Sequence, residues 1–141
     1  MSELLLAADI QDMIERSHFH QLFKPVVLDA DHGGLRLTIK FKMRTEFERQ
    51  PGTNQWHGGA ISAIVDTTGC YAFTMLSGEL FPTINFRTDY LRPAIATDLT
   101  AVALVRRAGR SVGVVDVDVI DDDGKLAAVG RGSYSTKAVS S

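Results

Sequence analysis

The chain has 141 residues, with 45% hydrophobic and 23% charged residues and a formal net charge of -2. The length suits one domain with a sizeable core, and the composition is that of an ordinary globular protein. The small net charge excludes a global basic field that would attract nucleic acid or an anionic membrane, and the single cysteine, Cys70, cannot form an internal disulfide.

Residues 1–9 contain acidic side chains and only a short apolar run. They lack the basic start and long apolar stretch of a secretory signal, and no apolar run in the chain reaches the roughly 18 residues of a membrane span. We therefore expect a cytoplasmic protein. His18 and His20 have no further ligands near them, so a solvated or capping pair is favoured over a metal site.

The first half of the chain predicts a helix over about residues 4–15 and then a strand hairpin. Gly33-Gly34 is a turn signal that makes residues 26–29 a candidate first strand. The second strand is indicated by a strict alternation whose apolar members are Leu35, Leu37, Ile39 and Phe41.

A long central helix is predicted over about residues 59–77, after a loop at residues 51–54. The segment has no proline, is apolar on almost every side, and is followed by Gly78, a typical helix end. A helix that is apolar all round needs cover on several faces, from a wrapped sheet, a partner subunit or both.

Four further strands are predicted at residues 82–90, 99–106, 111–120 and 126–134, which are rich in β-branched and aromatic side chains. Hairpin turns are expected at residues 108–109 and 121–124. This order of elements favours an antiparallel sheet with a helix packed on it, an α+β architecture forming one domain over residues 1–141.

The strongest chemical signal is His57-Gly58-Gly59 at the start of the central helix. The first amides of a helix lack intrahelical acceptors and lie at the positive end of its dipole. Such an amide would stabilise a carbonyl oxygen that gains negative charge during acyl transfer. On the glycines alone, an ordinary Gly-Gly loop remains the better-supported alternative.

Asp66 is the only charged residue between His57 and Gly78. An unpaired carboxylate is costly to bury, so Asp66 is either a functional group or an aspartate satisfied by donors such as Thr67; the residues alone leave both open. Asp66 follows Gly58 by eight residues, roughly 12 Å along a helix. Both could contact one substrate carbonyl only if two subunits share the site.

Taken together, these motifs resemble those of the hotdog-fold acyl-CoA thioesterases, especially the branch of the phenylacetate-catabolism and 4-hydroxybenzoyl-CoA thioesterases. The resemblance covers about residues 47–134 and is carried by His57-Gly58-Gly59, Asp66, residues 89–94 (Asp-Tyr-Leu-Arg-Pro-Ala) and Gly109-Arg110. It implies a hotdog fold, with a long central helix wrapped by a five- to six-stranded antiparallel sheet. It also implies hydrolysis of an acyl- or aryl-CoA thioester, active sites at a homodimer interface, and dimers that pair into a homotetramer.

The resemblance also implies roles for single residues. Gly58 matches the glycine whose amide polarises the thioester carbonyl, and Asp66 matches the carboxylate that acts as base or nucleophile. His57 is expected to shape the loop or to assist carbonyl binding. Thr83 matches a hydroxyl residue that helps to hold the water, with an ordinary strand threonine as the alternative.

One position departs from the family pattern. Relatives often place Asn or Gln six residues before the motif histidine, where this chain has Pro51. Gln50, one residue further away, would take this catalytic position after a one-residue loop insertion, and Asn54 stands three residues closer.

Arginines are expected to bind the CoA phosphates, because guanidinium groups donate paired hydrogen bonds to phosphate oxygens. A solvated hairpin is the alternative for the arginines of residues 106–110. The expected substrate- and CoA-binding residues are Gly59, Thr67, Asn54, Arg92, Arg107, Gly109 and Arg110.

No metal and no cofactor beyond the CoA of the substrate is expected. The main alternative function is a non-catalytic acyl-CoA binding hotdog module, and a hotdog dehydratase is a weaker one because its histidine and acid are arranged differently. Cys70 fits a small core residue better than a nucleophile, since no basic residue is adjacent to it. The acyl group is left open.

Overall fold

One antiparallel sheet of six strands wraps around the longest helix of this computed structural model, which describes residues 4–137. The ends of the predicted domain, residues 1–3 and 138–141, lie outside the described residues. The helices are α1 (Ala7–Glu15), α2 (His18–Phe23) and α3 (Gly58–Ser77). The strands are β1 (Val26–Asp31), β2 (Arg36–Phe41), β3 (Thr83–Tyr90), β4 (Leu99–Ala108), β5 (Val112–Asp121) and β6 (Leu126–Ser135).

The strand order is β1-β2-β4-β5-β6-β3, with every neighbouring pair antiparallel. Three of the pairs are sequential hairpins, and the strand that follows α3 crosses to the far edge to pair with β6. The predicted α+β architecture is therefore confirmed, with six strands where five to six were expected.

The N-terminal half differs from its prediction in two places. Helix α1 begins at Ala7 rather than near residue 4, because the Asp9 carboxylate accepts a hydrogen bond from the extended Leu6 N–H at 2.9 Å. The short helix α2 was not predicted. It ends at Phe23, and the left-handed backbone of Lys24 (φ 46°) turns the chain into Pro25.

Strand β2 shows the predicted alternation, with Leu37, Ile39 and Phe41 buried. Leu35 is the exception. It lies exposed in the turn with a left-handed φ of 57°, so the strand begins at Arg36 and the buried positions begin at Leu37, two residues later than predicted.

Helix α3 is buried on nearly all sides because the curved sheet packs against it. Glycines on the facing strands make room for the helix side chains: a Cβ at Gly113 would overlap the ring of the buried Phe73. The helix ends at Gly78, which has the left-handed φ of 78° that glycine tolerates best. Among the described residues, no helix is long and apolar enough to cross a membrane.

We predict that Gly113→Ala destabilises the protein by about 1–3 kcal/mol, because the added methyl group overpacks the core against Phe73. The matched control is Gly33→Ala in the exposed turn, where a Cβ would make only an ordinary contact with the Asp31 side chain at 3.7 Å. Gly33→Ala should change the stability by less than about 0.5 kcal/mol. Urea unfolding of the three proteins measures the difference, and equal midpoints would contradict this packing.

Candidate active site

The N-terminus of α3 is capped by the histidine that precedes it. His57 has an extended backbone (φ -68°, ψ 136°), and its Nδ1 accepts a hydrogen bond from the Gly59 N–H at 2.8 Å. The His57 N–H in turn donates to the Phe47 carbonyl oxygen at 2.7 Å. The imidazole therefore shapes the helix start, which is one of the two roles expected of it, and it occupies the amide of Gly59.

The Gly58 amide is the free donor of this helix start. It donates to no acceptor among the described residues, as expected at the first helical position. Gly58 lines an open cleft of about 430 Å³ between the helix start, the loop before it and the end of β3. The cleft is also lined by Arg49, Gln55, Trp56, His57, Ile61, Tyr90, Leu91, Arg92, Pro93 and Ala94.

Tyr90 spans this cleft from the end of β3 to the first turn of α3. Its hydroxyl donates to the Gly58 carbonyl oxygen at 2.6 Å and lies 2.7 Å from the Ser62 hydroxyl. Thr88 completes the group, with its hydroxyl 3.2 Å from that of Ser62. The strand is thereby tied to the helix directly beside the free amide.

Two turns further along α3, Asp66 is half-buried. The Thr83 hydroxyl donates to Asp66 Oδ1 at 2.7 Å, so strand and helix meet at the carboxylate as well. The Tyr134 hydroxyl donates to the backbone carbonyl of Asp66 at 3.1 Å. Burial raises the pKa of Tyr134, with the Asp66 carboxylate acting in the same direction, so this hydroxyl stays a donor.

A β-bulge aims Thr83 at the carboxylate. In a regular strand, side chains alternate between faces, so Thr83 would point away from the helix that Thr88 and Tyr90 contact. The pairing of β3 with β6 shifts between Thr83 and Asn85, which leaves Ile84 unpaired. This extra residue returns the Thr83 hydroxyl to the helix side, a device common beside functional sites.

The small helical neighbours of Asp66 do not leave the open space that their size suggests. Gly69 faces the ring of Tyr134, whose hydroxyl a Cβ would overlap. Ser62 faces Tyr90, and the Cys70 thiol donates to the Phe81 carbonyl oxygen at 3.3 Å. Burial raises the pKa of Cys70 to about 11, so this thiol is not an activated nucleophile near neutral pH.

Thr67, expected to bind substrate, is buried, and its hydroxyl lies 3.4 Å from Nε2 of His20. No local pattern predicts this contact, since His20 and Thr67 lie 47 positions apart in the chain. Burial lowers the pKa of His20, while the Asp66 carboxylate acts in the opposite direction. The His20 ring packs edge-on against Tyr71, with ring centroids 5.6 Å apart.

Gln50 and Asn54, the two candidates for a second side chain that binds the carbonyl, do not line the Gly58 cleft. Both are exposed in the turn before the motif. Asn54 has a left-handed backbone (φ 52°), and its carbonyl oxygen accepts from the Ala96 N–H at 2.9 Å. The amide side chain that lines the cleft is Gln55, whose one signal in the sequence is its position two residues before His57.

The expected CoA-binding arginines form two groups. Arg92 lines the Gly58 cleft, whereas Arg107 and Arg110 line a separate surface pocket at the β4–β5 hairpin. Gly109 allows this hairpin its tight turn, since a Cβ there would lie 2.5 Å from the Val112 carbonyl oxygen. Among the described residues, none of these three arginines forms an ion pair, while Arg106 pairs with Asp116 at 3.5 Å.

Gly58 and Asp66 both lie on α3, so the predicted separation of roughly 12 Å along the helix applies to a single chain. The structure thus brings together two half-sites: Gly58 with His57, Gln55 and Tyr90, and Asp66 with Thr83. Within residues 4–137, no three His, Cys, Asp or Glu side chains are grouped as a metal site would need.

Comparison with known proteins adds independent findings. The profile of the thioesterase superfamily matches residues 54–128. A provisionally named esterase of Halobacterium salinarum is 33% identical over 138 residues, which cover 91% of this chain and 90% of that protein. The acyl-coenzyme A thioesterase PaaI of Escherichia coli is 35% identical over 82 residues, covering 57% of this chain and 58% of that protein. A solved structure described as a thioesterase superfamily protein has a TM-score of 0.84 at 31% identity, covering 91% of this chain and 96% of that one.

The cap geometry generates a prediction for His57. Replacing it by Ala should lower the stability by about 1 kcal/mol, because the Gly59 amide loses its acceptor. His57→Asn should retain most of the stability, since asparagine is among the preferred N-cap residues. Thermal and urea unfolding measure both variants. Equal losses for Ala and Asn would contradict the capping role.

Proposed function

Because this chain belongs to the thioesterase superfamily, we propose that it hydrolyses an acyl- or aryl-CoA thioester to the free acid and CoA. The observation that carries the proposal is the half-buried Asp66 carboxylate, oriented by the Thr83 hydroxyl at 2.7 Å. The free Gly58 amide, at the positive N-terminal end of α3, supplies the hydrogen-bond donor for the thioester carbonyl oxygen.

In the proposed reaction, the thioester carbonyl oxygen accepts a hydrogen bond from Gly58 N–H. Asp66 removes a proton from a water molecule held beside Thr83, and the water oxygen bonds to the carbonyl carbon. The resulting oxyanion is stabilised at Gly58, and the C–S bond then breaks to release CoA as a thiolate, which takes up the proton. In the alternative mechanism, the Asp66 carboxylate attacks the carbonyl carbon and displaces CoA, and water then hydrolyses the mixed anhydride.

The proposed active unit is a homodimer, with Gly58 of one subunit facing Asp66 of its partner. The helical separation of the two groups supports this arrangement, because one chain cannot bring both to the same carbonyl. Strand β3 supports it as well: it is an edge strand that carries exposed Ile84, Phe86 and Tyr90, and unpaired edges of this kind are ready to pair with another chain. Pairing of two such dimers into a tetramer is expected from the family resemblance.

The CoA phosphates are proposed to bind cationic side chains that form no ion pair within residues 4–137. Arg92 borders the Gly58 cleft, and Arg107 and Arg110 stand exposed at the hairpin. Guanidinium groups suit phosphate oxygens. The reaction needs no metal and no further cofactor.

We predict that Asp66→Asn lowers kcat for thioester hydrolysis by on the order of 10² or more, because the general base or nucleophile is lost. The measurement is thiol release from a panel of aromatic and aliphatic acyl-CoAs. Asp12→Asn, at an exposed position of α1, is the matched control and should keep full activity. Tight binding without turnover by the unmodified protein would favour the non-catalytic binding module instead.

The role of the Gly58 amide can be isolated with two substitutions. Gly58→Pro removes the N–H, and the backbone accommodates it: proline is favoured at the first helical position, and the ψ of 136° at His57 suits a residue before proline. Gly58→Ala keeps the N–H but adds a similar Cβ, 3.2 Å from the Tyr90 hydroxyl oxygen, so it controls for the displacement of Tyr90 that both variants cause. We expect kcat to fall by about 10²–10³ in Gly58→Pro and much less in Gly58→Ala.

The same variant tests whether the site is shared. A mixed dimer of Gly58→Pro and Asp66→Asn chains has one site with both defects and one intact site. It should recover about half of the wild-type activity, although each parent dimer is nearly inactive. Differently tagged, co-purified chains provide the mixed dimer. No recovery would show that Gly58 and Asp66 act within one chain.

A further inference from the structure

The peptide unit between Gly58 and Gly59 is held at both of its polar atoms. Its carbonyl oxygen, on Gly58, accepts from the Tyr90 hydroxyl at 2.6 Å, and its N–H, on Gly59, donates to His57 Nδ1 at 2.8 Å. The preceding amide, the Gly58 N–H, is the one without an acceptor among the described residues. A clamped peptide unit thus adjoins the free donor.

Such a clamp answers a physical need of the proposed site. Two consecutive glycines have more backbone freedom than any other pair, and an oxyanion donor is effective only when its direction is fixed before the reaction. His57 restrains one end of the peptide plane. The Gly58 N–H lies in the preceding peptide unit, whose His57 carbonyl oxygen accepts from the Ala60 and Ile61 amides at 3.0 and 3.2 Å, so it keeps its direction as long as the first turn of α3 stays formed. A second restraint, on the Gly58 carbonyl, ties this first turn to β3 and opposes fraying of the helix end.

We infer that Tyr90 is a positioning residue of the oxyanion site, whose hydroxyl holds the Gly58 carbonyl and thereby keeps the first turn of α3, with its free Gly58 amide, in place. This inference rests on the proposed function for its catalytic meaning. Nothing in the sequence analysis assigned a role to Tyr90, although it stands within the motif at residues 89–94.

The packing at Gly58 supports the inference independently of the hydrogen bond. The backbone of Gly58 does not have a left-handed φ, so its conformation is open to other residues. A Cβ at this position would instead lie 3.2 Å from the Tyr90 hydroxyl oxygen and 3.3 Å from the ring carbon that bears it. Glycine at position 58 is therefore explained by the close approach of Tyr90.

Tyr90 is also not a core residue that happens to reach the helix. Its exposed fraction is 52%, whereas the buried Tyr134 is 0% exposed. A hydroxyl that donates at 2.6 Å from an exposed ring, with Ser62 at 2.7 Å beside it, is held by polar contacts rather than by surrounding apolar packing. Removing the hydroxyl should therefore alter the helix start and leave the fold intact.

The test is Tyr90→Phe, which keeps the ring and removes the donor. We expect kcat to fall about tenfold with KM nearly unchanged, less than the loss on removing the amide itself. In a Gly58→Pro background, Tyr90→Phe should cause no further loss, because the amide that Tyr90 positions is gone. Tyr71→Phe, which removes a hydroxyl about 20 Å further along α3, is the matched control and should keep full activity.

The outcomes separate the inference from the proposed function. The positioning role is wrong if wild type is active and Tyr90→Phe has the same kcat. It is also wrong if Tyr90→Phe lowers kcat as much in the Gly58→Pro background as in wild type. In both cases the proposed hydrolase activity stands. If wild type turns over no thioester, the proposed function fails. Backbone ¹⁵N relaxation then tests whether Tyr90 restrains the Gly58–Gly59 peptide unit. Greater mobility of the Gly58 and Gly59 amides in Tyr90→Phe than in Tyr71→Phe would support it, and equal mobility would overturn it.

Discussion

Enclosure of α3 by its own sheet is the constraint on which the rest of the structure depends. Because the strands cover nearly every side of the helix, a charged or functional polar group on it is favourable only where another element can satisfy it or where cover is missing. Asp66 meets this condition through the Thr83 hydroxyl, and the first turn meets it through His57 and Tyr90. The two candidate catalytic groups of the helix thus lie at the two places where the ends of β3 reach it.

Glycines on both sides of the helix–sheet interface make this enclosure possible. Gly113 accommodates Phe73, while Gly69 and Gly132 together make the notch that holds the Tyr134 hydroxyl. Through that notch, Tyr134 bonds the backbone of Asp66 itself. Core packing and the position of the candidate carboxylate are therefore parts of one arrangement, since a bulkier residue at Gly69 would displace both.

The features that follow from local periodicity could be predicted from the sequence. The alternation through Leu37, Ile39 and Phe41 identified β2, and the apolar segment ending at Gly78 identified α3. Asp66 stood out as the one charged residue between His57 and Gly78, and Gly58 through its place in the His57-Gly58-Gly59 motif.

What escaped prediction depends on contacts between distant segments. The bulge that turns Thr83 toward Asp66 arises from pairing with β6, about fifty residues later in the chain, and no local pattern encodes it. The approach of His20 to Thr67 depends on how α2 packs against α3. Tyr90 was visible in its motif, but its bond to the Gly58 carbonyl appears only when strand and helix are placed side by side.

Strand β3 carries Thr83 at its first residue and Tyr90 at its last, and it pairs with the rest of the sheet only through β6. An edge strand held on one side can detach by sub-global opening, at a lower free energy than unfolding of the strands in the middle of the sheet. Detachment of β3 would remove the hydroxyls from both Asp66 and Gly58 in a single event. In the isolated chain, the candidate active-site geometry is therefore lost at a lower temperature than the fold. A partner that covers this edge would raise the temperature at which activity is lost more than the temperature at which the chain unfolds.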